Sequence, residues 1–149
     1  MENPTFKFEF DEIHRIEDTL KPIFIYGQLE RFNKQKAPLE HADIISLNFA
    51  FLNKKTGKIR GGILADMYNW HIVNLHAIWV MEEYRGKGYG TKLLKAVEEE
   101  AKKERGTLIH TDTFDWQAKD FYIKNGYEVF GILEDCPKGH KRFFMKKDI

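Results

Sequence analysis

Cys136 is the only cysteine among the 149 residues, so neither an internal disulfide nor a cysteine metal cluster is available, and a reducing compartment is the expected setting. An excess of one charge is also missing: 24 Lys and Arg stand against 23 Asp and Glu, for a net +1. These charges are scattered along the chain, so no field draws it toward nucleic acid or an acidic membrane, and neither partner is expected. No apolar run approaches the ~20 residues that cross a bilayer. The opening Met1-Glu2-Asn3-Pro4 has no basic and apolar leader pattern, which makes the cytoplasm the expected location. His14, His41, His71 and His140 show no metal-ligand spacing among themselves, and no metal is expected. Two familiar phosphate loops are absent as well. The chain has no Walker sequence, and Thr91 stands where a dinucleotide fingerprint would place its third glycine.

What is present suits one soluble domain spanning residues 1–149, since a chain of this length that is 42% hydrophobic buries one sizeable core. Phe6, Phe8 and Phe10 alternate as in a strand. Residues 12–34 carry apolar side chains at mostly helical spacing, interrupted by Pro22 and Gly27, which predicts two short helices or a kinked one ending at Ala37-Pro38. Ile45, Leu47, Phe49 and Phe51 mark one strand over 43–52; Lys55-Thr56-Gly57-Lys58 is a hairpin turn, and Ile59 to Met67 returns. His71 to Met81 is the next strand. A helix from about Gly88 to Arg105 turns Leu93, Leu94, Val97 and Ala101 inward and Glu98, Glu99, Lys102 and Lys103 outward, with Gly106 as its stop. Leu108 to Thr113 reads as a strand beside the one ending at Val80. A short helix over 115–124 begins at Asp115 as N-cap and stops at Gly126, and strands over 127–133 and 141–147 close the chain.

Arg85-Gly86-Lys87-Gly88-Tyr89-Gly90 is the stretch that carries chemistry. Three glycines in five residues bring backbone close to a ligand, and the helix that follows offers free N–H groups and its positive end, which makes an anion site. Thr91-Lys92-Leu93-Leu94 continues it. A second block, Asp115-Trp116-Gln117-Ala118-Lys119-Asp120-Phe121-Tyr122-Ile123-Lys124-Asn125-Gly126-Tyr127, follows at a fixed distance. With these two blocks in this order, residues 59–134 resemble the GNAT superfamily of acyl-CoA-dependent N-acyltransferases.

The resemblance implies an α/β fold with a mixed, mostly antiparallel sheet of six to seven strands and helices on both faces. It also implies acetyl-CoA as cosubstrate and direct transfer of the acetyl group to an amine, so Cys136 need not be a nucleophile. Arg85, Gly86, Lys87, Gly88, Tyr89, Gly90 and Thr91 would hold the pyrophosphate, while the backbone of Ile78, Trp79 and Val80 would run beside the pantetheine. Asp115 stands where many relatives have an Asn that contacts pantetheine; it either makes that contact or caps a helix, with Gln117 as its substitute. Tyr122 occupies the family's acid position and would protonate the departing sulfur.

The base is left open. Asn74 stands where some relatives have Glu, and His76 resembles one of the paired histidines of arylalkylamine acetyltransferases, so His76, His110, Asp112 or water can take the amine's proton. Trp70, Trp79 and Trp116 either line an acceptor pocket or pack in the core. The acceptor amine is undefined: a small amine, an antibiotic or a protein amine, with Tyr26, Gln28, Arg31 and Phe32 in the region that would shape its site. A monomer or homodimer is expected. A noncatalytic acyl-CoA-binding or regulatory module is the alternative.

Overall fold

The computed structural model describes residues 15–38 and 44–149. The strand expected over Phe6, Phe8 and Phe10 lies outside the described residues. Two compact units divide the chain after Pro38.

In the first unit, α1 (Leu20–Lys36) is one continuous helix where the sequence predicts a break. Pro22 falls in the first turn, where an N–H has no intrahelical acceptor and its loss costs nothing. The Asp18 carboxylate accepts from the backbone N–H of Leu20 at 3.0 Å and of Lys21 at 2.8 Å, supplying the cap that Thr19 does not make. Ala37 ends the helix by donating to the Asn33 carbonyl at 2.8 Å.

The second unit is a seven-stranded sheet: β1 (Ile45–Ser46), β2 (Phe49–Leu52), β3 (Ile59–Tyr68), β4 (Ile72–Val80), β5 (Leu108–Phe114), β6 (Glu128–Glu134) and β7 (Lys141–Asp148). The order across it is β1-β3-β4-β5-β7-β6, and β2 shares the β3 edge with β1. Every pairing is antiparallel except β4 with β5. Among the described residues this unit has two α-helices, α2 (Tyr89–Lys103) and α3 (Lys119–Lys124), and a short 3-10 helix at Glu82–Tyr84. The fold is thus the mixed α/β sheet that the resemblance implies.

Strand alternation decides the two faces of the sheet. Ile63, Ala65, Met67, Val73, Leu75, Ile109 and Met145 point to one side and pack against Leu93, Leu94, Val97 and Ala101 of α2, all at or near zero exposure. Leu64, Asp66, Asn74, His76, His110 and Asp112 alternate with them and so share the other side. The single strand expected over 43–52 is two. It breaks at Leu47 and Asn48, where the Asn48 side-chain oxygen accepts from the N–H of Ala65 at 3.0 Å in place of a backbone carbonyl; Leu47 keeps its inward phase and is buried.

Two details of α2 differ from expectation. Its end is a Schellman turn in which Arg105 takes the left-handed φ of +62°, with Arg105 N–H donating to the Lys102 carbonyl and Gly106 N–H to that of Ala101. Gly106 therefore serves by its size, since a Cβ there would sit 2.9 Å from the Ala101 oxygen. Glu98, expected outside, is buried and binds Lys147 through both carboxylate oxygens, because β7 brings an ammonium beneath the helix.

Candidate active site

Gly86 and Gly88 adopt φ of +70° and +80°, a region that costs other residues roughly 1 kcal/mol or more. Open space surrounds the position of a Cβ at both. Gly88 is also the N-cap of α2, and no side chain caps that end, so the first amides of the helix remain available to an anion. Gly90 is small for a different reason: its Cβ would lie 3.0 Å from the Phe121 ring, so this glycine lets α3 approach the loop. A ring cluster braces the loop from below, with Phe51 stacked on Tyr89 at 4.5 Å and Tyr84 edge-on to both.

Above the loop lies a hollow of about 370 Å³ walled by Ile78, Trp79, Val80, Arg85, Tyr89 and Thr91 together with Gly86, Gly88, Gly90, Ala118 and Phe121. Arg85 is pinned by its Nε–H to the Val80 carbonyl at 2.9 Å. Lys87 turns away, donating to the Glu83 carbonyl at 2.8 Å, and Lys92 lies over the Tyr89 ring. Arg85 is thus the one basic side chain lining this hollow.

β4 and β5 run side by side only from Ile72 to Asn74 and from Leu108 to His110. Beyond that point Thr111 Oγ donates across the gap to the Leu75 carbonyl at 2.9 Å, and then the strands part. A second hollow, about 480 Å³, opens in the gap. It shares Ile78, Trp79, Val80, Arg85 and Ala118 with the first and adds His76, Asp112, Thr113, Trp116, Gln117 and Tyr122. Tyr122 is 3% exposed; burial pushes its phenol pKa up, against a hydrogen bond with Thr111 that pulls it down. The phenol therefore holds its proton at neutral pH. Trp79 and Trp116 are about half exposed and wall this hollow, so they are not core residues. Trp70 lines neither hollow.

Two expected cofactor contacts are engaged otherwise. Asp115 does not cap a helix, because α3 starts at Lys119 with Ala118 as its N-cap. Its carboxylate instead accepts from the Lys141 N–H at 3.2 Å and pairs with His140 at 3.1 Å, tying the β5 end to the β6–β7 loop. The Gln117 oxygen accepts from the Phe114 N–H at 2.9 Å and the Thr113 hydroxyl at 3.3 Å, which leaves its amide nitrogen as the group able to meet a ligand.

On the open sheet face, His76 Nε2 lies 3.0 Å from Asp66 Oδ2 and His76 Nδ1 lies 3.4 Å from Asn74 Nδ2. Asp66 is the residue that sequence reasoning missed. It was findable: counting back from the three-residue turn 69–71 pairs Asp66 with Asn74 across the β3–β4 hairpin. His110 Nε2 is held by the Tyr68 hydroxyl at 3.0 Å, and burial lowers its pKa despite attraction from Asp66 and Asp112. Tyr68 is pushed up by burial and by Asp66, so it is the donor in that bond. Asp112 is bound by Arg142 Nε at 2.6 Å. Each side-chain base candidate thus has a bonded partner on another strand, Asp66 for His76, Tyr68 for His110 and Arg142 for Asp112; His76 and Asp112 line the hollow between β4 and β5, and His110 does not.

The neutral form that burial favours at His110 has a consequence for stability. A depressed folded-state pKa means the unfolded chain binds the extra proton first, so this contribution is present above the ordinary histidine value and is lost as pH falls below it. His110→Gln should lose less stability than wild type between neutral pH and about pH 5, measured by urea midpoints at the two pH values. An equal loss would assign the acid sensitivity to other groups.

An anion cradle at a helix N-terminus that continues into a slot between parting strands suits an enzyme that holds a nucleotide-bearing thioester by one end and has it attacked at the other. That is the class of acyl-CoA-dependent transferases. The chain belongs to the acetyltransferase (GNAT) family, whose model matches residues 11–127. It is 25% identical to a blasticidin-S acetyltransferase of Streptomyces morookaense over 116 residues, covering 77% of this chain and 85% of that one. Among solved structures, an acetyltransferase from Bacillus cereus ATCC 14579 superposes with a TM-score of 0.83 at 30% identity, covering 93% of this chain and 98% of the other. A Bacillus anthracis protein assigned as a streptothricin acetyltransferase, solved in complex with acetyl coenzyme A, shares the fold at a TM-score of 0.62 and 20% identity, over 70% and 63% of the two chains. Acetyl-CoA is the acyl donor of the family.

Proposed function

We propose that this chain transfers the acetyl group of acetyl-CoA directly to a primary amine, with Tyr122 as the acid and His76 as the base. The observation that carries the reading is the meeting of the two hollows at Ile78, Trp79, Val80, Arg85 and Ala118, with the loop amides at one end and Tyr122 at the other. The residues present fit the donor: open backbone at Gly86 and Gly88 and an uncapped α2 suit a pyrophosphate. The free stretch of β4 beyond Asn74 suits an amide-bearing arm.

Acetyl-CoA, when bound, supplies an acyl group activated as a thioester. The protein's own residues do the rest. His76 takes one proton from the incoming ammonium, whose ordinary pKa near 10 keeps it charged at neutral pH. Tyr122 gives its proton to the sulfur as the carbon–sulfur bond breaks and the carbon–nitrogen bond forms, and it is reprotonated as the nitrogen sheds its second proton. One proton per turnover reaches solvent. Backbone amides of β4 in the gap polarise the carbonyl.

The family match across residues 11–127 supports a catalytic domain over most of the chain; a single domain over 1–149, acting as monomer or homodimer, is the organisation proposed. The lone cysteine supports a reducing cytoplasm; among the described residues no helix is long and apolar enough to cross a membrane. The blasticidin-S acetyltransferase relative makes small-molecule antibiotic amines the first acceptors to screen. Calorimetric titration with acetyl-CoA and with free CoA is the direct test, and micromolar binding of both is expected. Thiol release across an amine panel then separates an enzyme from a noncatalytic acyl-CoA module. A folded protein that binds neither ligand would overturn the assignment.

A further inference from the structure

We propose that Asp66 is a positioning residue for the acyl transfer: its carboxylate fixes His76 in the tautomer that leaves Nδ1 free to accept the acceptor's proton. This rests on the reading of His76 as the base. Strand register places the two side chains. β3 and β4 pair Met67 with Val73, Asp66 with Asn74 and Ala65 with Leu75, and then Leu64 with Ala77. His76 is the extra residue of a bulge on β4 and has no partner opposite it. A bulge re-aims a side chain. Here the imidazole leans back along the sheet to Asp66, the next residue on the same face of β3 after Leu64, and reaches its carboxylate at 3.0 Å.

The chemistry of the contact sets the tautomer. An ionised carboxylate only accepts, so the hydrogen of neutral His76 resides on Nε2, and Nδ1 carries the lone pair. Asn74 Nδ2, 3.4 Å from Nδ1, is a long and weak donor that an incoming amine displaces. When Nδ1 takes up the proton, the imidazolium stands against the Asp66 charge, and the pair's net charge changes from −1 to zero. The electron pair of the broken N–H bond stays on the acceptor nitrogen, which becomes the nucleophile. The groups facing His76 from the neighbouring elements are Asp66 and Tyr68 of β3, Asn74 of β4, and His110 and Asp112 of β5. Tyr68 and Arg142 occupy the last two, so Asp66 is the carboxylate left to act on His76.

Position supports the role. His76 lines the hollow between β4 and β5 and also a third hollow of about 350 Å³ walled by Ile44, Ser46, Asn48, Leu64 and Asp66. It is therefore the side chain common to the space beside the thioester slot and the space on the β1–β3 side. A bare surface ion pair would contribute little to stability and nothing to turnover, which makes the two roles separable.

The test compares wild type with Asp66→Asn, Asp66→Glu and His76→Gln. Nitrogen-15 NMR of the histidine rings in the free protein, recorded about two pH units above the ordinary imidazole value of about 6.5, reads the His76 tautomer without any acceptor; His76→Gln assigns the signal. Wild type should show the Nε2–H form, and Asp66→Asn a mixture of both forms. Turnover of an acetylated amine should fall at least ~10-fold in Asp66→Asn and partly recover in Asp66→Glu, with the dissociation constant for CoA unchanged in all variants. A wild-type tautomer in Asp66→Asn, or full turnover with intact CoA binding, would overturn the proposal. Full turnover in His76→Gln would instead overturn the base assignment beneath it.

Discussion

Tyr122→Phe should lower kcat by about 10²-fold, equivalent to about 2.7 kcal/mol of transition-state stabilisation, while the affinity for CoA stays within about twofold. The substitution removes one oxygen and keeps the ring. Its contacts with Phe121 at 5.4 Å and Tyr127 at 5.5 Å therefore survive, and the lost hydroxyl strands no partner, since Thr111 Oγ still donates to the Leu75 carbonyl. Stability should be nearly unchanged. The effect falls on the step in which sulfur leaves, because a thiolate departing without a proton is held only by the surrounding dipoles. Burial raises the phenol's pKa, so the group is fully protonated when the sulfur needs it. Steady-state kinetics with a poor and a good thiol leaving group would show the variant more sensitive to leaving-group pKa than wild type. Unchanged turnover would remove Tyr122 from the mechanism and leave it a packing residue between α3 and β5.

Glu98→Ala should destabilise the fold by about 3–5 kcal/mol and lower Tm by about 10 °C, with little effect on the chemistry of a folded molecule. Lys147 Nζ touches both Glu98 oxygens, at 2.8 and 2.9 Å, and the Asn125 carbonyl at 2.9 Å. The side chains are only 25% and 12% exposed, so water screens the pair weakly. Tyr127 donates to the same carboxylate at 3.4 Å, and its pKa is raised by burial first and then by the Glu98 charge. Removing Glu98 leaves an ammonium with a single carbonyl, a cost that dominates the lost attraction. Replacing both partners, as in Glu98→Met with Lys147→Met, should recover most of the loss. Urea unfolding of the three variants measures this; a Glu98→Ala protein within about 1 kcal/mol of wild type would show that the pair behaves as a surface one.

Much of the site was legible from local pattern. The loop from Arg85 to Thr91 is marked by glycine backbone angles and a helix start, both of which depend on neighbours in sequence, and all of it but Lys87 lines one hollow. Tyr122 was singled out by its motif and lines the next hollow. Two of the misreadings come from distant partners and one from a helix boundary. Asp115 has the composition of a helix cap, yet a loop 25 residues away claims its carboxylate. Glu98 follows Val97 on the helix and reads as solvent-facing, until β7 places Lys147 under it. Pro22 reads as an interruption, but the helix starts two residues earlier and the proline costs it nothing.

The amino-acid sequence by itself determined the family, the glycine-rich loop and the alternation that builds the sheet, because glycine conformations, helix ends and apolar periods are set within a few residues. Tertiary structure alone decided which charged groups meet. The Asp66–His76 contact depends on one extra residue in β4, the Glu98–Lys147 pair on the packing of α2 over β7, and the gap between β4 and β5 on where their hydrogen bonds stop. Side-chain charge is read over a few ångströms of space, and the distance between two such groups is a property of register and packing that no local pattern encodes.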